Sequence, residues 1–314
     1  MEHPLVIAII LNYMRPDDTI DCIDSLKKSS YSPLQLIVVD NASTDDSVMR
    51  IRAVYPDIKI LQSENNLGYA GGMNLGIRYA VKFSPEYLLI VNSDTIADSG
   101  YVSKLVNALS QRTRAAAASG TIYYYPDTTK IWYAGGELKY WRASGFTNRS
   151  YPHVNNTGSQ DIQDVTFISG CAFLLRVSAI HAIGLFDERF FMYLEDTEMC
   201  SRLAYNNFEM IYVPEAILFH KVNHEGNLPF PLYFSVRNRL LFLKLAAKGF
   251  PKLFGFIYLF CVIVLKLVFW SLTKSHLLIA VKLGITDYFT GRFYKGRSYQ
   301  LLDSHKSTNQ NFKQ

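Results

Sequence analysis

Acidic side chains that follow apolar segments are the first sign of chemistry in this sequence. The apolar run Tyr87–Val91 is followed at once by Asn92, Ser93 and Asp94. A short continuous apolar run is typical of a strand buried on both faces, as in a parallel sheet. Ligands of such sheets bind beyond the carboxyl ends of the strands, where Asp94 could hold a ligand or a hard cation such as Mg²⁺. The same residues also suit an Asx turn, and they do not decide between the two.

A second group of acids, Glu195, Asp196 and Glu198, follows an aromatic run at residues 190–194. Acids in the first turn of a helix are stabilised by its dipole, and Glu198 precedes Arg202 by the four residues of a helical ion pair. This structural interpretation accounts for Glu198. It accounts less well for the other two, because ionised carboxylates beside buried aromatics are costly unless they have a task. We therefore expect Asp196, with Glu195 beside it, to be functional.

His220 ends a predicted strand at residues 216–219, downstream of both acid groups. A lone histidine is usually structural. At a strand end, however, imidazole together with carboxylate suits Mn²⁺ or Mg²⁺, with phosphate oxygens completing the coordination. His220 is therefore a candidate metal ligand.

Strands and helices alternate four times before Asp94, which predicts βαβ units and a parallel sheet. The predicted strands are 5–11, 34–39, 58–61 and 87–91, and the clearest helices are 16–28 and the one that ends near residue 82. A polar residue follows each strand at the same predicted edge, and four such clusters suit a nucleotide-sized site: Asn12, Asp40, Asn66 and Asp94. Glycines 68–72 would let backbone approach a ligand, although the loop is neither a Walker loop nor a dinucleotide fingerprint.

The alternation breaks after Asp94. We predict a helix at 101–109, strands at 115–125, 130–140, 165–170, 172–176 and 208–213, and a polar surface excursion at 142–163 that could line an acceptor groove. The four cysteines have no paired spacing, which favours reduced thiols in the cytoplasm and argues against a zinc site. The first residues enter a strand pattern rather than a signal peptide.

The C-terminal part of the chain is basic and apolar. Residues 237–298 contain eleven Lys or Arg and one acid, whereas the preceding part is net acidic. This asymmetry predicts an anionic partner, and the apolar content favours a membrane surface over nucleic acid.

Three helices are predicted in this segment: an amphipathic helix at 230–248 and apolar helices at 253–273 and 277–290. The second is long enough to span a bilayer, but Lys266 interrupts it at a cost of about 3 kcal/mol. We favour helices that lie in the membrane interface with snorkelling lysines over a hairpin that dips into the bilayer. A buried helix pair, for example in a homodimer interface, is the alternative.

Taken in order, these motifs resemble the inverting family 2 glycosyltransferases of the GT-A fold, and in particular their rhamnosyltransferase-like branch. The resemblance covers roughly residues 4–245. It is carried by Asn12–Tyr13, Val38–Asp45, Asn66–Asn74, Val91–Asp94, Gly184–Asp187, Glu195–Asp196 and His220. It implies an α/β GT-A domain at 1–228 with a Rossmann-like, mostly parallel sheet, whose donor half is about 1–95 and whose acceptor half is about 96–228. Membrane-associated helices at 229–300 and a polar tail at 301–314 would follow.

The resemblance also implies roles for individual residues. Asp196 would be the general base with Glu195 beside it, and Asp94 and His220 would hold a divalent cation, Mg²⁺ or Mn²⁺. Asp40 would contact the base of the nucleotide. The other residues expected at the nucleotide are Asn12, Tyr13, Asn41, Asn66, Gly68, Gly72, Asn74 and Asn92.

Two departures from the family pattern matter. The Asp-x-Asp motif is Asn92-Ser93-Asp94 here, which removes one carboxylate, and the Gln-x-x-Arg-Trp signature of processive synthases is absent. The implied function is therefore inverting, non-processive transfer from a nucleotide-diphosphate sugar to a hydroxyl of a glycan, expected to be lipid-linked, at the cytoplasmic face of the membrane during cell-surface polysaccharide assembly.

Two other functions remain open. A sugar nucleotidyltransferase would usually carry a glycine-rich, basic loop directly after the first strand, and residues 11–16 lack one. A non-catalytic nucleotide-sugar-binding module is supported only by the missing carboxylate.

Overall fold

The strand and helix alternation of the N-terminal half forms a parallel sheet. The computed structural model describes residues 3–149, 161–222, 229–273 and 275–296. Its first elements are β1 (Val6–Asn12), α1 (Pro16–Lys27), β2 (Leu34–Asp40), α2 (Ser47–Val54), β3 (Lys59–Gln62), α3 (Gly68–Ala80) and β4 (Tyr87–Asn92). β1 pairs in parallel with β2 and β4, and β2 pairs in parallel with β3. Residues 87–91 of β4 are all buried, as expected for a central strand.

The C-terminal half of the sheet is mixed. Its elements are β5 (Thr95–Ala97), α4 (Tyr101–Gln111), β6 (Ala115–Tyr124), β7 (Ile131–Tyr133), β8 (Gly136–Lys139), β9 (Ser144–Thr147), β10 (Gln163–Val165), β11 (Ala172–Arg176), α5 (Val177–Ile183), α6 (Glu195–Tyr205) and β12 (Glu209–His220). β11 lies between β4 and β6 and is antiparallel to both, whereas β6 and β12 are parallel. Eight of the described strands follow the order β10-β12-β6-β11-β4-β1-β2-β3, β5 pairs with β12 and β7 with β6, and β8 and β9 form a separate pair. The predicted α/β fold is thus confirmed, with the purely parallel part confined to the N-terminal half.

Three regions of predicted strand differ in detail. Residues 166–170 of the strand expected at 165–170 are not in a strand, because β10 ends at Val165. The single strand expected at 130–140 is divided into β7 and β8, because Gly135 turns the chain with a φ of 81°. The two strands expected at 208–219 are one strand, β12, with an irregular register between Val213 and Ile217. Residues 150–160 of the predicted polar excursion and the tail 301–314 lie outside the described residues.

The register of the strands brings the predicted polar residues to one edge. Asn12 lies opposite Asp40, and Asn92 lies opposite the residue before Asn12. On the other side of the sheet, His220 at the end of β12 lies opposite Thr95, which follows Asp94 directly. The polar residues at the ends of strands from both halves of the sheet therefore lie at the same edge.

The first predicted C-terminal helix is interior rather than interfacial. The segment consists of α7 (Pro229–Leu245), α8 (Gly249–Thr273) and α9 (Ser275–Phe289). Phe234, Arg237 and Leu241 of α7 are almost completely buried, because α7 packs on residues near 190 on one side and on α9 on the other. The expected amphipathic pattern is wrong here, since a helix covered on both sides presents no free polar face.

α8 is the one described helix that is long and apolar enough to cross a membrane. Part of its surface packs on the protein, where Gly255 and Leu259 are buried. The rest is exposed and apolar, including Phe250, Phe260 and Leu265, which are 76%, 68% and 69% exposed. This apolar strip runs along one side of the helix.

Candidate active site

Asp94 and His220 meet where β4 and β12 end. His220 Nε2 lies 3.2 Å from Asp94 Oδ1, and Arg15 Nη1 lies 3.3 Å from Asp94 Oδ2. The edge of Trp132 packs against the His220 ring at a centroid distance of 4.8 Å, which fixes the orientation of the imidazole. The sequence analysis predicted that Asp94 and His220 lie together. It did not predict the contacts of Arg15 and Trp132.

The charges of this cluster stabilise one another. Burial would raise the pKa of Asp94, but hydrogen bonding and attraction to His220, together with the charge of Arg15, outweigh burial and lower it. Burial would lower the pKa of His220, whereas Cys171 and Asp94 raise it to about 10. These shifts favour an ionised Asp94 carboxylate beside a protonated His220 imidazole.

The geometry of these two side chains fits a divalent cation. Asp94 Oδ1 is buried and accepts no well-directed hydrogen bond among the described residues. Its 3.2 Å separation from His220 Nε2 matches the spacing of about 3 Å between adjacent ligands of an octahedral ion with bonds of about 2.1 Å. No group of three or more His, Cys, Asp or Glu side chains that could hold a metal occurs in the described part of the chain. The protein would thus supply two ligands, and the remaining positions would be free for a substrate and water.

Asn12 supports the site from within instead of facing a ligand. It is fully buried, its Nδ2 donates to Asp40 Oδ1 at 2.7 Å, and its Oδ1 accepts from Thr19 Oγ1 at 2.8 Å. The other carboxylate oxygen of Asp40 accepts from the backbone amide of Ser43 at 3.2 Å. Asn12 therefore orients Asp40, which differs from the direct nucleotide contact expected for Asn12.

Asn41 and Asn66 hold the loop that precedes α3. Asn41 Nδ2 donates to Gly68 O at 3.0 Å and Asn66 Oδ1 at 3.2 Å, and Asn41 Oδ1 accepts from the amide of Leu67 at 2.9 Å. Asn66 Oδ1 also accepts from the amide of Gly68 at 2.8 Å. These asparagines shape the loop, and Asn66 is the more exposed of the two.

The glycines of this loop serve packing, which corrects the expectation that they admit a ligand. Gly68 has a φ of 70°, and a Cβ there would lie 2.3 Å from Phe191 O. A Cβ at Gly72 would lie 2.5 Å from Leu11 Cδ1, so this glycine lets α3 approach β1 closely. Asn74 is likewise enclosed: its amide bonds to the backbone of Phe186 at 2.9 and 3.0 Å and to Glu188 at 2.9 Å.

Three predicted nucleotide residues have accessible side chains: Tyr13, Asn66 and Asn92. Tyr13 follows β1 and is 42% exposed. Asn92 ends β4 and is partly exposed. Both lie at the edge where Asp94 and His220 meet, as predicted.

Glu195 and Asp196 begin α6, but their surroundings differ. Asp196 Oδ2 accepts from the amide of Gly170 at 2.9 Å, and its Oδ1 accepts from the amide and hydroxyl of Thr197 at 2.6 and 3.1 Å. Glu195 is 6% exposed, and its Oε2 has no hydrogen-bond partner among the described residues. Asp196 is thus oriented, whereas Glu195 is enclosed without comparable support.

Burial raises the pKa of both carboxyl groups. Burial and the charge of Asp196 raise the pKa of Glu195 to about 8. Burial also raises the pKa of Asp196, although the hydrogen bonds from Gly170 and Thr197 act against that rise. Because the two groups interact, they share their protons as a pair, and the hydrogen-bonded Asp196 is the preferred site of the first negative charge.

A short backbone segment joins the acid pair to the Asp94–His220 cluster. Gly170 binds Asp196, and the next residue, Cys171, accepts a 2.8 Å bond from the amide of Asn92 through its carbonyl. The thiol of Cys171 lies against His220. Tyr69 Oη donates to Gly170 O at 2.5 Å, and burial with the charges of Glu195 and Asp196 raises the pKa of Tyr69 well above its usual value.

Tyr69 and Gly170 carry no sequence signal that distinguishes them from packing residues. Arg15 does carry such a signal, because it is a basic residue three positions after the end of β1, at the edge where the ligand was expected. Glu198, in contrast, forms the predicted ion pair, with Arg202 Nε 2.8 Å from its Oε1.

This arrangement of a parallel half-sheet, an antiparallel β11 and acids at a shared edge is that of the GT-A class. GalNAc-T7, solved with UDP, GalNAc and Mn²⁺, superimposes with a TM-score of 0.61 at 14% identity, over 74% of this chain and 47% of that protein. The mannosyltransferase PcManGT of Pyrobaculum calidifontis, solved with GDP-Man and Mn²⁺, has a TM-score of 0.57 at 15% identity, over 98% of this chain and 81% of that one. The chain thus spans less than half of GalNAc-T7, and at these identities the likeness establishes the fold.

Sequence comparison supplies the family. Residues 7–184, more than half of the chain, match the profile described as Glycosyl transferase family 2. The N-acetylglucosaminyl-diphospho-decaprenol L-rhamnosyltransferase of Mycobacterium tuberculosis is 28% identical in an alignment of 225 residues. The alignment covers 65% of this chain and 72% of that enzyme. The chain belongs to glycosyl transferase family 2 and is a glycosyltransferase.

Proposed function

We propose that this enzyme transfers a sugar, with inversion, from a nucleoside diphosphate sugar to a hydroxyl of a lipid-linked glycan, one sugar per encounter. One observation carries the proposal: Asp196 is oriented by Gly170 on the same short segment whose next residue lies against His220. This connection supports a base at Asp196 that acts near the proposed diphosphate site. The name of the mycobacterial relative, which specifies a diphospho-decaprenol substrate, supports the lipid-linked acceptor.

Asp196 and Glu195 are the residues proposed to act on the acceptor hydroxyl. Asp196 accepts the proton of the attacking hydroxyl as that oxygen displaces the nucleoside diphosphate in line. The departing diphosphate needs no proton, so one base suffices, in contrast to glycoside hydrolases. Glu195, whose pKa is raised to about 8, stays largely protonated at neutral pH and so adds little repulsion to the charge on Asp196.

The donor is held at the sheet edge. Asp94 and His220 would hold Mg²⁺ or Mn²⁺, which when bound neutralises charge on the departing diphosphate. Arg15, 3.3 Å from Asp94, adds a positive charge at the same place. Tyr13, Asn66 and Asn92 are the proposed nucleotide contacts with accessible side chains. Asp40 is the proposed contact to the base, and Asn12 orients it. The other predicted residues hold the donor loop and α3 in place: Asn41, Gly68, Gly72 and Asn74.

We further propose that α8 attaches the enzyme to the cytoplasmic face of the membrane. Its exposed apolar residues recur every three or four positions along one side, from Phe250 through Ile257 and Phe260 to Phe269. Because the opposite side packs on the protein, a one-sided strip favours a helix that lies in the interface over one that spans the bilayer. In this proposal residues 1–228 together with the interior helix α7 form the catalytic unit, and α8 is the part of the predicted segment 229–300 that contacts the membrane. A homodimer stays a prediction.

A donor panel tests the proposed function. The purified chain is incubated with nucleotide sugars of several bases and sugars, with a polyprenyl-diphosphate-linked glycan in detergent, and release of nucleoside diphosphate is measured. We expect acceptor-dependent release with one donor, and a product of inverted anomeric configuration. Release that is independent of acceptor, or a retained configuration, would contradict the proposal.

A further inference from the structure

The backbone that leads into the acid pair has an unfavourable conformation. Phe191, Tyr193 and Leu194 have φ angles of 61°, 66° and 68°, a region that residues other than glycine seldom adopt. Such conformations persist only when the surrounding structure holds them, and they occur preferentially at functional sites. Leu194 directly precedes Glu195, so this turn sets where α6 begins.

Asn238 of α7 binds the turn at three points. It is fully buried, and its Nδ2 lies 2.9 Å from Phe190 O and 2.8 Å from both Met192 O and Tyr193 O. Its Oδ1 accepts from the adjacent Arg237 Nε at 2.9 Å, which directs the amino group of the amide toward the turn. The two N–H groups of this amide are thus shared among three backbone carbonyls of residues 190–193.

Arg237 completes the connection. Its side chain is also fully buried, which is costly for a charge unless every donor finds an acceptor. Nη2 donates to Phe190 O at 3.0 Å and Arg189 O at 3.2 Å, and Nη1 donates to Tyr294 O at 2.6 Å. The guanidinium lies over the ring of Phe234 at 4.7 Å. The buried guanidinium of Arg237 therefore binds backbone carbonyls of this turn.

The turn contacts both halves of the site. The amide of Ala70, at the start of α3, donates to Phe191 O at 3.2 Å, and a Cβ at Gly68 would collide with the same carbonyl at 2.3 Å. On its other side the turn continues into Glu195 and Asp196. A shift of this turn would move the acid pair relative to the donor loop.

We propose that Arg237 and Asn238 are positioning residues of the transfer reaction. They hold residues 190–194 in the conformation that places the Glu195–Asp196 pair against Gly170. Neither residue needs to touch substrate for this role. The inference rests on the proposed function only in taking Asp196 as the base.

The test compares Asn238→Ala with a matched control on the same helix. Arg239 also donates to backbone carbonyls, with its Nη2 2.8 Å from Arg142 O, but its acceptors are residues 142 and 143 rather than carbonyls of the turn. Arg239→Met therefore reports what loss of such a bond costs in stability. We expect Asn238→Ala to lower kcat by about tenfold to a hundredfold, because small misplacements of catalytic groups have effects of this size. The donor KM should change less than about twofold, and Arg239→Met should retain kcat at a comparable Tm.

Arg237→Lys provides a second variant that retains the buried charge. Lys can reach fewer of the carbonyls, so kcat should lie between those of wild type and Arg237→Met, again with the donor KM retained. An unchanged kcat in folded Asn238→Ala, or equal losses of kcat in Asn238→Ala and Arg239→Met, would overturn the inference. Wild-type activity in the same assay separates this result from failure of the proposed function, which would abolish transfer in every sample.

Discussion

The backbone amide of Gly170 donates a 2.9 Å hydrogen bond to Asp196 Oδ2. Gly170 precedes Cys171, whose carbonyl binds the amide of Asn92, two residues before Asp94. The proposed base, Asp196, and the proposed metal site are therefore connected through the backbone that leads into a central strand. A rigid link of this kind is what precise positioning of a base and a leaving group requires.

A methyl group at residue 170 should disturb this link. A Cβ there would lie 3.3 Å from both Cβ and Oδ2 of Asp196, a tight contact. We expect Gly170→Ala to lower kcat about tenfold, since the carboxylate must shift by a few tenths of an ångström. Gly100→Ala is the control, because its Cβ would meet only the flexible end of Lys104 and the side chain of Asp98. Equal kcat for both variants would show that Asp196 tolerates the shift.

The pH dependence of kcat should reflect the buried acid pair. Burial raises the pKa of Asp196, so its unprotonated form is lost at a higher pH than that of a free aspartate. We therefore expect the acidic limb of the kcat profile above the pKa of a free aspartate. Glu195, with a pKa of about 8, is largely protonated at neutral pH and below, so Glu195→Gln should leave the position of this limb nearly unchanged. Tyr69 and Tyr193, whose pKa values are raised by burial and by the charge of Glu195, face the same pair.

Stability provides an independent readout of the same pair. The pKa of Glu195 is about 8 in the folded protein and near 4.3 in an unfolded chain, so the folded state binds the proton more tightly. Its contribution to stability is present below pH 4 and is lost as pH rises through 8. The unfolding free energy of wild type should thus decline over this interval more steeply than that of Glu195→Gln. Parallel curves for the two proteins would refute the raised pKa.

Removal of the proposed metal ligands should weaken donor binding. Asp94→Ala and His220→Ala should each abolish the Mn²⁺ dependence of nucleoside diphosphate binding, as measured by calorimetry with and without the ion. Trp132→Phe, which retains an aromatic edge at His220, should preserve that dependence. Full activity of the wild type in excess chelator would exclude the metal role and transfer it to cations such as Arg15.

Charges placed on α8 should detach the enzyme from membranes. Phe260→Glu and Leu265→Glu each remove an exposed apolar side chain, whose burial stabilises by about 1.5–3 kcal/mol, and add a charge that an anionic surface repels. We expect at least tenfold weaker cosedimentation with anionic liposomes. Met49→Glu on α2, where Met49 is 67% exposed, is the matched control. Equal binding by all three variants and wild type would exclude α8 as the attachment site.

Sequence reasoning succeeded in placing the polar residues that end strands. Asp94 and His220 follow from strands that end at one edge of the sheet, a rule of topology that needs no knowledge of side-chain contacts. It failed where polar residues satisfy one another. Asn12 and Asn74 have the expected positions, but their amides bind Asp40 and residues 186–188, and sequence spacing does not reveal which partner an amide chooses.

The C-terminal segment shows the same limit. Arg237 contributes to the basic composition from which a membrane surface was predicted, yet its side chain is buried and binds the turn before Glu195. Composition treats every basic residue as part of the surface, and only the packing of α9 on α7 removes this one from it. One side of α8 carries exposed apolar residues such as Phe260 and Leu265. This side is the part of the segment that remains available to a membrane.

The most direct test of the account is single-turnover transfer by Asp196→Asn. This variant retains a side chain of the same size that can still accept the hydrogen bond from Gly170, but it cannot take a proton at neutral pH. We predict that it binds nucleoside diphosphate as wild type does and transfers sugar ~10²–10⁴-fold more slowly, the usual effect of removing a general base. Transfer at the wild-type rate by the folded variant would contradict the assignment of the base and the mechanism built on it.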